Sequence, residues 1–473
     1  MNMLKIYLNV TSSYQWDGAP VGIVRTEIEI LKSLKKTVGI NLRLFIVEDN
    51  LIIPISFEEY YEKKQKRASH SSCNNESKHK WLFPLVSKKQ AIKLLAQSTI
   101  SLAPAIFRPF LNDFAMKAQF LLGRLNCLRV KYLMNKKIKH HEREGGQSSQ
   151  KKMREQDVFD DGDVILTCGL DWNIPDFFEE LFFLKKRKNL KLISFCYDLI
   201  PVYYPQYCAA NTVPKFSKYF FDLIKASDLV CCISQCTKKD LLKFASENGI
   251  PSLNTNVVCL GSDFADKKIP ASERAGFSES PTYRTDIPFL LYVSTIERRK
   301  NHEVIYRAYR KIILEGNGDK LPDLYFVGMR GWGVEDFLRD LSLDPLIKNK
   351  IKLLGRVNDE QLATLYKKCK FVLFPSFYEG WGLGVGEALA YGKFVLCSNS
   401  GSLPEVGSEF AEYIDPLRVD LWAKKILFYS CYSEALAKKE EYIKDNWRPR
   451  SWSSLGHQVC CMLTEFKNST LMF

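Results

Sequence analysis

The chain has 473 residues, a length typical of two or three domains. Hydrophobic residues make up 46% of it, charged residues 26%, and the formal net charge is +14, a balance that excludes a disordered, collagen-like or disulfide-rich chain. No run reaches the ~18 consecutive apolar residues of a membrane-spanning helix, and the first residues lack the features of a secretion signal. We therefore expect a cytoplasmic protein that does not span a bilayer.

The first half of the chain alternates between predicted strands and predicted helices. LKIYLNV is a strand, followed by a loop with Gly18, Pro20 and Gly22 and by a helix from about Ile23. Four further apolar runs predict buried strands: DVILTCG, LKLISFCYD, DLVCCIS and NVVCLG. Short buried strands separated by helices are typical of a parallel sheet covered by helices. We assign this pattern to a first domain, residues 1–270.

A basic insertion, residues 61–155, interrupts the first domain and carries the whole positive excess. It holds 21 Lys and Arg against 6 Asp and Glu, so the rest of the chain is nearly neutral. Its middle predicts an amphipathic helix with one apolar stripe, and cations lie off that stripe. The stripe comprises Leu111, Phe114, Ala118, Leu121, Leu125, Leu128 and Tyr132, and the cations include Lys117, Arg124, Arg129, Lys131 and Lys136. The two ends of the insertion, 63–80 and 140–157, are predicted mobile loops.

The basic amphipathic helix favours an anionic membrane surface as a partner. A helix packed on its own domain, with its basic side in solvent, is the alternative. Nucleic acid is disfavoured because the aromatic residues are too apolar and too regularly spaced for base stacking. The membrane-binding residues are then Leu111, Phe114, Leu121, Leu125, Leu128, Arg124, Arg129 and Lys131.

The second half repeats the pattern after a linker, residues 271–287. Its predicted strands are FLLYVST, DLYFVGM, IKLLGR, KFVLFPS and KFVLCSN, in a domain spanning 288–445. A last helix, within 446–473, follows Pro449 and could cross back to cover the first domain. The predicted fold is α/β, with two facing, doubly wound Rossmann-like domains. Because ligands bind beyond the carboxyl ends of parallel strands, we expect the site in the cleft between the domains.

The strongest chemical signal is the glycine-rich stretch EGWGLGVGEALA. It follows the strand KFVLFPS and leads into a helix that begins near Leu383. The glycines at 380, 382, 384 and 386 would let the backbone approach a ligand, and free amides at the helix start attract a diphosphate. The carboxylates of Glu379 and Glu387 are suitable acceptors for sugar and ribose hydroxyls. The alternative is an ordinary turn with two surface glutamates.

A basic turn follows the first strand of the second domain. Arg299 and Lys300 lie where that strand ends, and two adjacent cations there suit a diphosphate. Taken alone, such a turn is more often a solvated loop.

Other residues that could have carried chemistry have simpler interpretations. The 14 cysteines include Cys232 and Cys236, whose spacing lacks a second ligand pair, so buried thiols are favoured over zinc. Asp161 and Asp163 form a D-x-D pattern that precedes a strand, and we interpret it as a turn. His302 is interpreted as a packing or surface residue, like His457. No metal and no cofactor are expected.

These motifs together resemble a known family. The pair Glu379-x7-Glu387, with RRKN, GMRGWG and SLPEVG, is similar to the retaining glycosyltransferases of family 4. The resemblance covers residues 288–452 closely and the first domain more loosely. It implies the GT-B fold and a nucleotide-sugar donor used without a metal.

The resemblance also implies roles for individual residues. Lys300 and Arg299 would neutralise the donor diphosphate, Glu379 would hold hydroxyls of the transferred sugar, and Glu387 the nucleotide ribose. Backbone groups near Gly380 and at the start of the helix would contact the diphosphate; those at the helix start belong to Leu383, Gly384 and Val385. The backbone amide of Gly22 would contact it from the first domain.

Three positions depart from the family pattern. Ser294-Thr295 stands where many relatives have an arginine, and Gly384 where a proline is usual. Tyr197-Asp198 replaces a His-Asp pair, which leaves Asp198 as the polar candidate in the first domain.

The expected function is transfer of a hexose, with mannose from GDP-mannose as the expected donor, to a lipid-linked or polysaccharide acceptor. The reaction would take place at the cytoplasmic membrane face. Two alternatives are a sugar-nucleotide epimerase on the same fold and a catalytically silent scaffold bound to the membrane.

Overall fold

The computed structural model describes residues 4–17, 22–70, 158–209, 212–250, 252–263 and 284–470. The predicted amphipathic helix lies outside these ranges, together with every membrane-binding residue assigned to it. The predicted loops 71–80 and 140–157 and most of the linker also lie outside them. The predictions made for those residues therefore stay predictions.

The first domain contains a seven-stranded sheet flanked by helices. Strands β1–β7 are Leu4–Asn9, Ile40–Glu48, Leu51–Ile55, Val164–Thr167, Lys191–Cys196, Leu229–Cys232 and Thr255–Val257. Helices α1–α7 are Thr11–Gln15, Gly22–Lys36, Phe57–His70, Phe177–Lys188, Ile200–Tyr203, Thr212–Ala226 and Gln235–Glu247. The central strands β4 and β6 are buried along their whole length, which is why they are continuous apolar runs in the sequence.

The second domain contains a six-stranded sheet. Strands β8–β13 are Phe289–Val293, Asp323–Val327, Ile351–Gly355, Val372–Phe374, Val395–Ser398 and Ala411–Ile414. Helices α8–α15 are His302–Leu314, Glu335–Leu343, Asp359–Lys368, Leu383–Ala390, Leu403–Gly407, Val419–Cys431, Ser433–Asn446 and Trp452–Thr470.

The strand orders are β3-β2-β1-β4-β5-β6-β7 and β10-β9-β8-β11-β12-β13. Every pair of neighbouring strands is parallel except β2 and β3. The expectation of parallel sheets is therefore wrong at this edge, and β2, β3 and β13 had no sequence prediction. Strands β2 and β3 form a hairpin whose turn is Asp49-Asn50. Both residues adopt positive φ, a conformation that a two-residue hairpin turn requires.

Helix α3 corrects one prediction made for the basic insertion. Residues 63–70, predicted as part of a mobile loop, continue the helix Phe57–His70. The helix is fixed by aromatic residues: Tyr60 is buried, and the Lys35 ammonium lies 4.6 and 4.7 Å from the ring centres of Phe57 and Tyr61. Lys, Gln, Arg and Ala are strong helix formers, so a charged composition was the wrong signal for a loop here.

Helix α15 packs on the first domain rather than on the second domain that precedes it. Trp452, Leu455 and Val459 are buried in the core of the first domain. A Cβ added at Gly456 would lie 1.9 Å from Ser33 Oγ of α2, so the two helices are in close contact. The end of the chain thus ties the two domains together.

The two domains also contact each other directly, between α7 of the first domain and loops of the second domain. The Glu405 carboxylate accepts hydrogen bonds from the amides of Gln235 and Cys236, both at 2.7 Å, at the first turn of α7. The Tyr378 hydroxyl donates to Asp240 at 2.6 Å. These contacts hold the carboxyl ends of the two sheets together. None of the helices in the described part of the chain combines the length and apolar character needed to cross a membrane.

Candidate active site

The centre of the cleft is an ion cluster built on two neighbouring strands of the second sheet. Strand β8 leads into a single turn, Arg298–Lys300, and Glu379 follows β11, which is the neighbour of β8. Arg299 Nη1 lies 2.7 Å from Glu379 Oε2, and Lys300 Nζ lies 2.5 Å from Oε1. Each oxygen of the Glu379 carboxylate therefore faces its own cation, and the three predicted residues are brought together.

The charges of this cluster are strongly coupled. Burial opposes ionisation of Glu379, but Arg299 and Lys300 outweigh it and lower the pKa of the carboxyl group to about 2. Burial, with the nearby charge of Arg299, lowers the pKa of Lys300, and Glu379 opposes this. Glu379 is therefore ionised at neutral pH.

Arg299 is more restrained than the sequence suggested. Its guanidinium contacts Glu297 at 2.7 Å as well as Glu379, and it donates to the Tyr378 carbonyl at 2.8 Å. Two carboxylates thus already balance much of its charge. This geometry suits a residue that positions Glu379, whereas Lys300 carries the simpler single ion pair.

The glycine-rich turn makes room for protein rather than leaving open space. A Cβ at Gly380 would lie 2.3 Å from the Tyr197 carbonyl oxygen and 2.9 Å from Asp198 Cβ, both in the first domain. A Cβ at Gly384 would lie 2.7 Å from the Phe374 ring, and one at Gly382 2.5 Å from the Leu403 side chain. Gly382 also has φ +102 and precedes α11. These three glycines therefore lie in close contact with other parts of this chain, and the predicted approach to a ligand stays a prediction.

Glu387 lies one turn into α11 and does not join the ion cluster. Its carboxylate accepts a hydrogen bond from the Tyr366 hydroxyl at 2.9 Å. Burial raises its pKa, and the Tyr366 hydrogen bond and the charge of Arg25 oppose this rise. Arg25 belongs to the first turn of α2, which begins at Gly22, so the start of that helix approaches Glu387 from the first domain.

Sequence reasoning missed Arg25, Tyr366 and Glu297. Arg25 was visible in the motif VGIVRTE, at the start of the helix predicted from about Ile23. Tyr366 belongs to α10 and carried no signal in the sequence.

Asp198 brings the first domain into the cluster. It follows β5, and its Oδ1 accepts a hydrogen bond from the Ile200 amide at 3.1 Å. Burial raises its pKa, while the charges of Arg299 and Lys300 oppose the rise, so these groups are near one another. Its neighbour Tyr197 instead points into the first domain, where its hydroxyl donates to the Cys168 carbonyl at 2.5 Å. Of this pair, Asp198 faces the cleft.

The D-x-D pattern lies far from these residues. Asp161 is exposed in a turn. Asp163 forms an ion pair with Lys5 at 3.2 Å at the amino end of β4, whereas Asp198 follows the carboxyl end of β5, on the opposite side of the sheet. Across the described ranges, no group of three or more His, Cys, Asp or Glu has a geometry that could hold a metal ion.

The remaining candidates are structural. Cys232 is fully buried, whereas Cys236 is half-buried at the domain interface, 2.9 Å from the Tyr378 hydroxyl, so the prediction of a buried thiol is wrong for the second of the pair. His302 is buried, and burial lowers its pKa to about 3, so it is a neutral packing residue.

Comparison with known proteins identifies one family model and several relatives. Residues 276–448 match the family model of glycosyl transferases group 1. The chain is 30% identical over 247 residues to the O-antigen chain mannosyltransferase B of Escherichia coli, which covers 52% of this chain and 62% of the relative. It is 29% identical over 219 residues to the serotype-specific mannosyltransferase WbdA of the same species, covering 46% and 26%. The matches thus span less than two thirds of either relative.

Solved structures share the fold across nearly the whole chain. Sucrose-phosphate synthase from Thermosynechococcus elongatus matches with a TM-score of 0.56 at 17% identity, covering 98% of this chain and 100% of that one. HepE of Anabaena, solved with UDP-glucose, matches with a TM-score of 0.54 at 14% identity and the same coverage. The architecture, two facing Rossmann-like domains, is the GT-B fold.

Proposed function

We propose that this protein transfers a hexose from a nucleotide sugar to an acceptor, because residues 276–448 match the family model of glycosyl transferases group 1. The observation that carries the proposal is the cluster of Glu379, Arg299 and Lys300 with Asp198 across the cleft. Such a cluster offers a fixed cation for a leaving diphosphate and carboxylates for sugar hydroxyls.

The donor is proposed to lie along the start of α11. Amides at Leu383, Gly384 and Val385, at the amino end of this helix, would meet the diphosphate, with Lys300 as the neutralising cation. Glu379 would accept bonds from hydroxyls of the transferred sugar, and Glu387 from the nucleotide ribose. Mannose from GDP-mannose is the proposed donor, because relatives of this chain are named as mannosyltransferases.

The proposed reaction proceeds with retention at the sugar carbon. The bond from that carbon to the diphosphate oxygen breaks, and a bond to the acceptor oxygen forms on the same face. The acceptor proton passes to the departing phosphate. Lys300 stabilises the charge that develops on the leaving group, and Arg299 keeps Glu379 ionised and in place.

The acceptor is proposed to be lipid-linked or polysaccharide and to be used at the cytoplasmic membrane face. The basic insertion supports this, because each Lys or Arg near an anionic surface contributes on the order of 1 kcal/mol. We expect the protein to co-sediment with anionic vesicles, and high salt to release part of it because screening is then stronger. Replacing Phe114, Leu121 and Leu125 with Gln should release more. If the unaltered protein ignores anionic vesicles, the helix packs internally.

A panel of nucleotide sugars tests the activity itself. The true donor should raise the melting temperature, since a ligand bound only by the folded state stabilises it. With an acceptor present, it should release a nucleoside diphosphate, in EDTA as well as in buffer with Mn²⁺. An epimerised nucleotide sugar as the product would favour the epimerase, and binding without turnover the silent scaffold. A strict need for Mn²⁺ would contradict metal independence.

A further inference from the structure

A turn of the first domain covers the segment that carries Glu379. It runs from Tyr204 to Tyr207, between α5 and α6, and we call it the tyrosine turn. The Tyr207 ring stacks on the Phe377 ring of the second domain, with 4.8 Å between the ring centres and 3° between the planes. The Tyr204 and Tyr378 ring centres lie 4.4 Å apart. The two residues that precede Glu379 are thus each packed against a ring from the facing domain.

The tyrosine turn also reaches the segment that carries the two cations. The Trp332 indole donates a hydrogen bond to the Tyr207 carbonyl at 2.9 Å. The Trp332 carbonyl accepts from the amide of Arg298, the residue before Arg299, at 3.2 Å. The Phe377 amide donates to the Arg299 carbonyl at 2.9 Å, so the two segments are also joined to each other. The tyrosine turn therefore supports both halves of the ion cluster.

The tyrosine turn is itself fixed within the first domain. Its Tyr207 amide donates to the Tyr204 carbonyl at 3.0 Å, and the Tyr204 amide donates to the Ile200 carbonyl of α5 at 2.8 Å. The last residue of α5, Tyr203, donates from its hydroxyl to Glu247 of α7 at 3.1 Å. Through these bonds, the position of the two stacked rings follows that of the first domain.

Ion pairs alone fix the cluster less well than these rings do. The Lys300 ammonium is a point charge, so its pairing with Glu379 sets a distance and leaves the direction open. Stacked aromatic rings, in contrast, favour particular distances and orientations. Catalytic groups need placement within ~0.5 Å, and a displacement of about 1 Å can lower a rate ~10²-fold. The rings therefore supply precision that the ion cluster needs.

We propose that Tyr204 and Tyr207 are positioning residues, which hold the ion cluster in the place that sugar transfer requires. Both act on Glu379 through the rings beside it, and Tyr207 also acts on Arg299 through Trp332. The proposal rests on the proposed glycosyltransferase activity and gives the first domain a part in the chemistry of the donor. The cluster is then correctly placed only while the two domains are in contact.

Removal of one ring tests the proposal in the turnover of GDP-mannose with acceptor. Tyr207→Ala should lower kcat about tenfold, as expected for the loss of one aromatic contact beside a positioned group. Tyr207→Phe keeps the stacked ring and should stay within about twofold of the unaltered protein. Tyr204→Ala removes the other ring and should repeat the loss, which provides a second test if Tyr207→Ala does not fold.

Acetylation of Lys300 measures the placement of the cluster without any turnover. Its side chain is 14% exposed beside Glu379, so acetic anhydride should modify it severalfold faster in Tyr207→Ala, where the cluster is loosened. Mass spectrometry of the peptide that contains Lys300 measures the modification. Lys311, on the surface of α8, is the reference within each sample.

Tyr203→Ala is the matched control, because it removes a neighbouring tyrosine ring whose partners, Glu247 and Lys243, lie in the first domain. It should change neither kcat nor the acetylation of Lys300. The proposal is overturned if Tyr207→Ala behaves as Tyr203→Ala does, or if Tyr207→Phe is as slow as Tyr207→Ala. If the unaltered protein turns over no nucleotide sugar, the proposed function falls. Faster acetylation of Lys300 in Tyr207→Ala would then still support the positioning, whereas unchanged acetylation would overturn it.

Discussion

The two edges of the cleft hold their buried carboxyl groups in opposite ways. In the second domain, the cations of Arg299 and Lys300 overcome burial and lower the pKa of Glu379 to about 2. In the first domain, burial raises the pKa of Glu27 to about 8 and that of Asp171 to about 7. Their partners are neutral donors, such as the Ser13 amide for Glu27 and the Thr167 hydroxyl for Asp171.

We call Arg299, Lys300 and Glu379 the charged edge of the cleft. We call Glu27 and Asp171, whose carboxyl groups lose their protons only near pH 8 and pH 7, the protonated edge. An ionised Glu379 can hold sugar hydroxyls and balance the cations near a diphosphate. A protonated Glu27 instead holds the backbone in place, since it accepts a hydrogen bond from the Ser13 amide and so ties α1 to α2. The substitution of Glu by Gln should therefore have opposite consequences at the two edges, because Gln resembles a protonated Glu and not an ionised one.

Loss of the charged edge should have the largest effect. Glu379→Gln and Lys300→Ala are each expected to lower the transfer rate by ~10²–10³, the usual effect of removing one preorganised charge from a reaction centre. Release of nucleoside diphosphate in the presence of acceptor measures the rate. Glu409→Gln, at an exposed position in the second domain, is the control. Near-normal turnover in either purified, folded variant would remove these residues from the site.

Contact between the two edges should matter next. A Cβ at Gly380 would overlap the Tyr197 carbonyl in the facing domain, so Gly380→Ala should hold the edges apart. A displacement of about 1 Å can cost ~10²-fold in rate, and we expect a loss of 10- to 100-fold. Small-angle scattering should show a slightly larger radius of gyration. Gly318→Ala, where a Cβ would lie 3.3 Å from Ile313, is the control and should change neither quantity. Unchanged turnover in Gly380→Ala would mean that the edges tolerate separation.

The charged edge could be predicted from sequence because it is local. Arg299 and Lys300 are adjacent, and Glu379 and Glu387 flank one glycine-rich turn, so each motif lies within a short stretch of chain. Most strands of both sheets were equally visible as apolar runs, but β2, β3 and β13 were not predicted. What the sequence did not reveal is the Glu297 contact that restrains Arg299, because its meaning depends on packing around a buried guanidinium.

The protonated edge could not be predicted, because it too depends on packing between distant parts of the chain. Asn9, Thr11 and Asp171 form one hydrogen-bonded network, yet Asp171 is 162 positions from Asn9. Nothing in a single sequence distinguishes a buried, neutral Glu27 on an amphipathic helix from an exposed one. The hairpin of β2 and β3 was missed although Asp49-Asn50 is a good turn dipeptide between two apolar runs.

The pH dependence of stability tests the protonated edge. The pKa of Glu27 rises on folding from an ordinary 4.5 to about 8, so the folded state binds the extra proton between these values. Stability should then fall as pH rises through this window, by at most about 1.4 kcal/mol per pH unit for one carboxyl group. Glu379 acts in the opposite direction, because its lowered pKa gives stability above pH 4.5 that is lost as pH falls towards 2.

Melting temperatures measured from pH 5 to pH 8 should therefore fall less steeply in Glu27→Gln than in the unaltered protein. Glu29→Gln, on the same helix but paired with Lys32 near the surface, should follow the unaltered protein. Parallel curves for the unaltered protein and Glu27→Gln would mean that Glu27 is ionised, and that both edges of the cleft are charged.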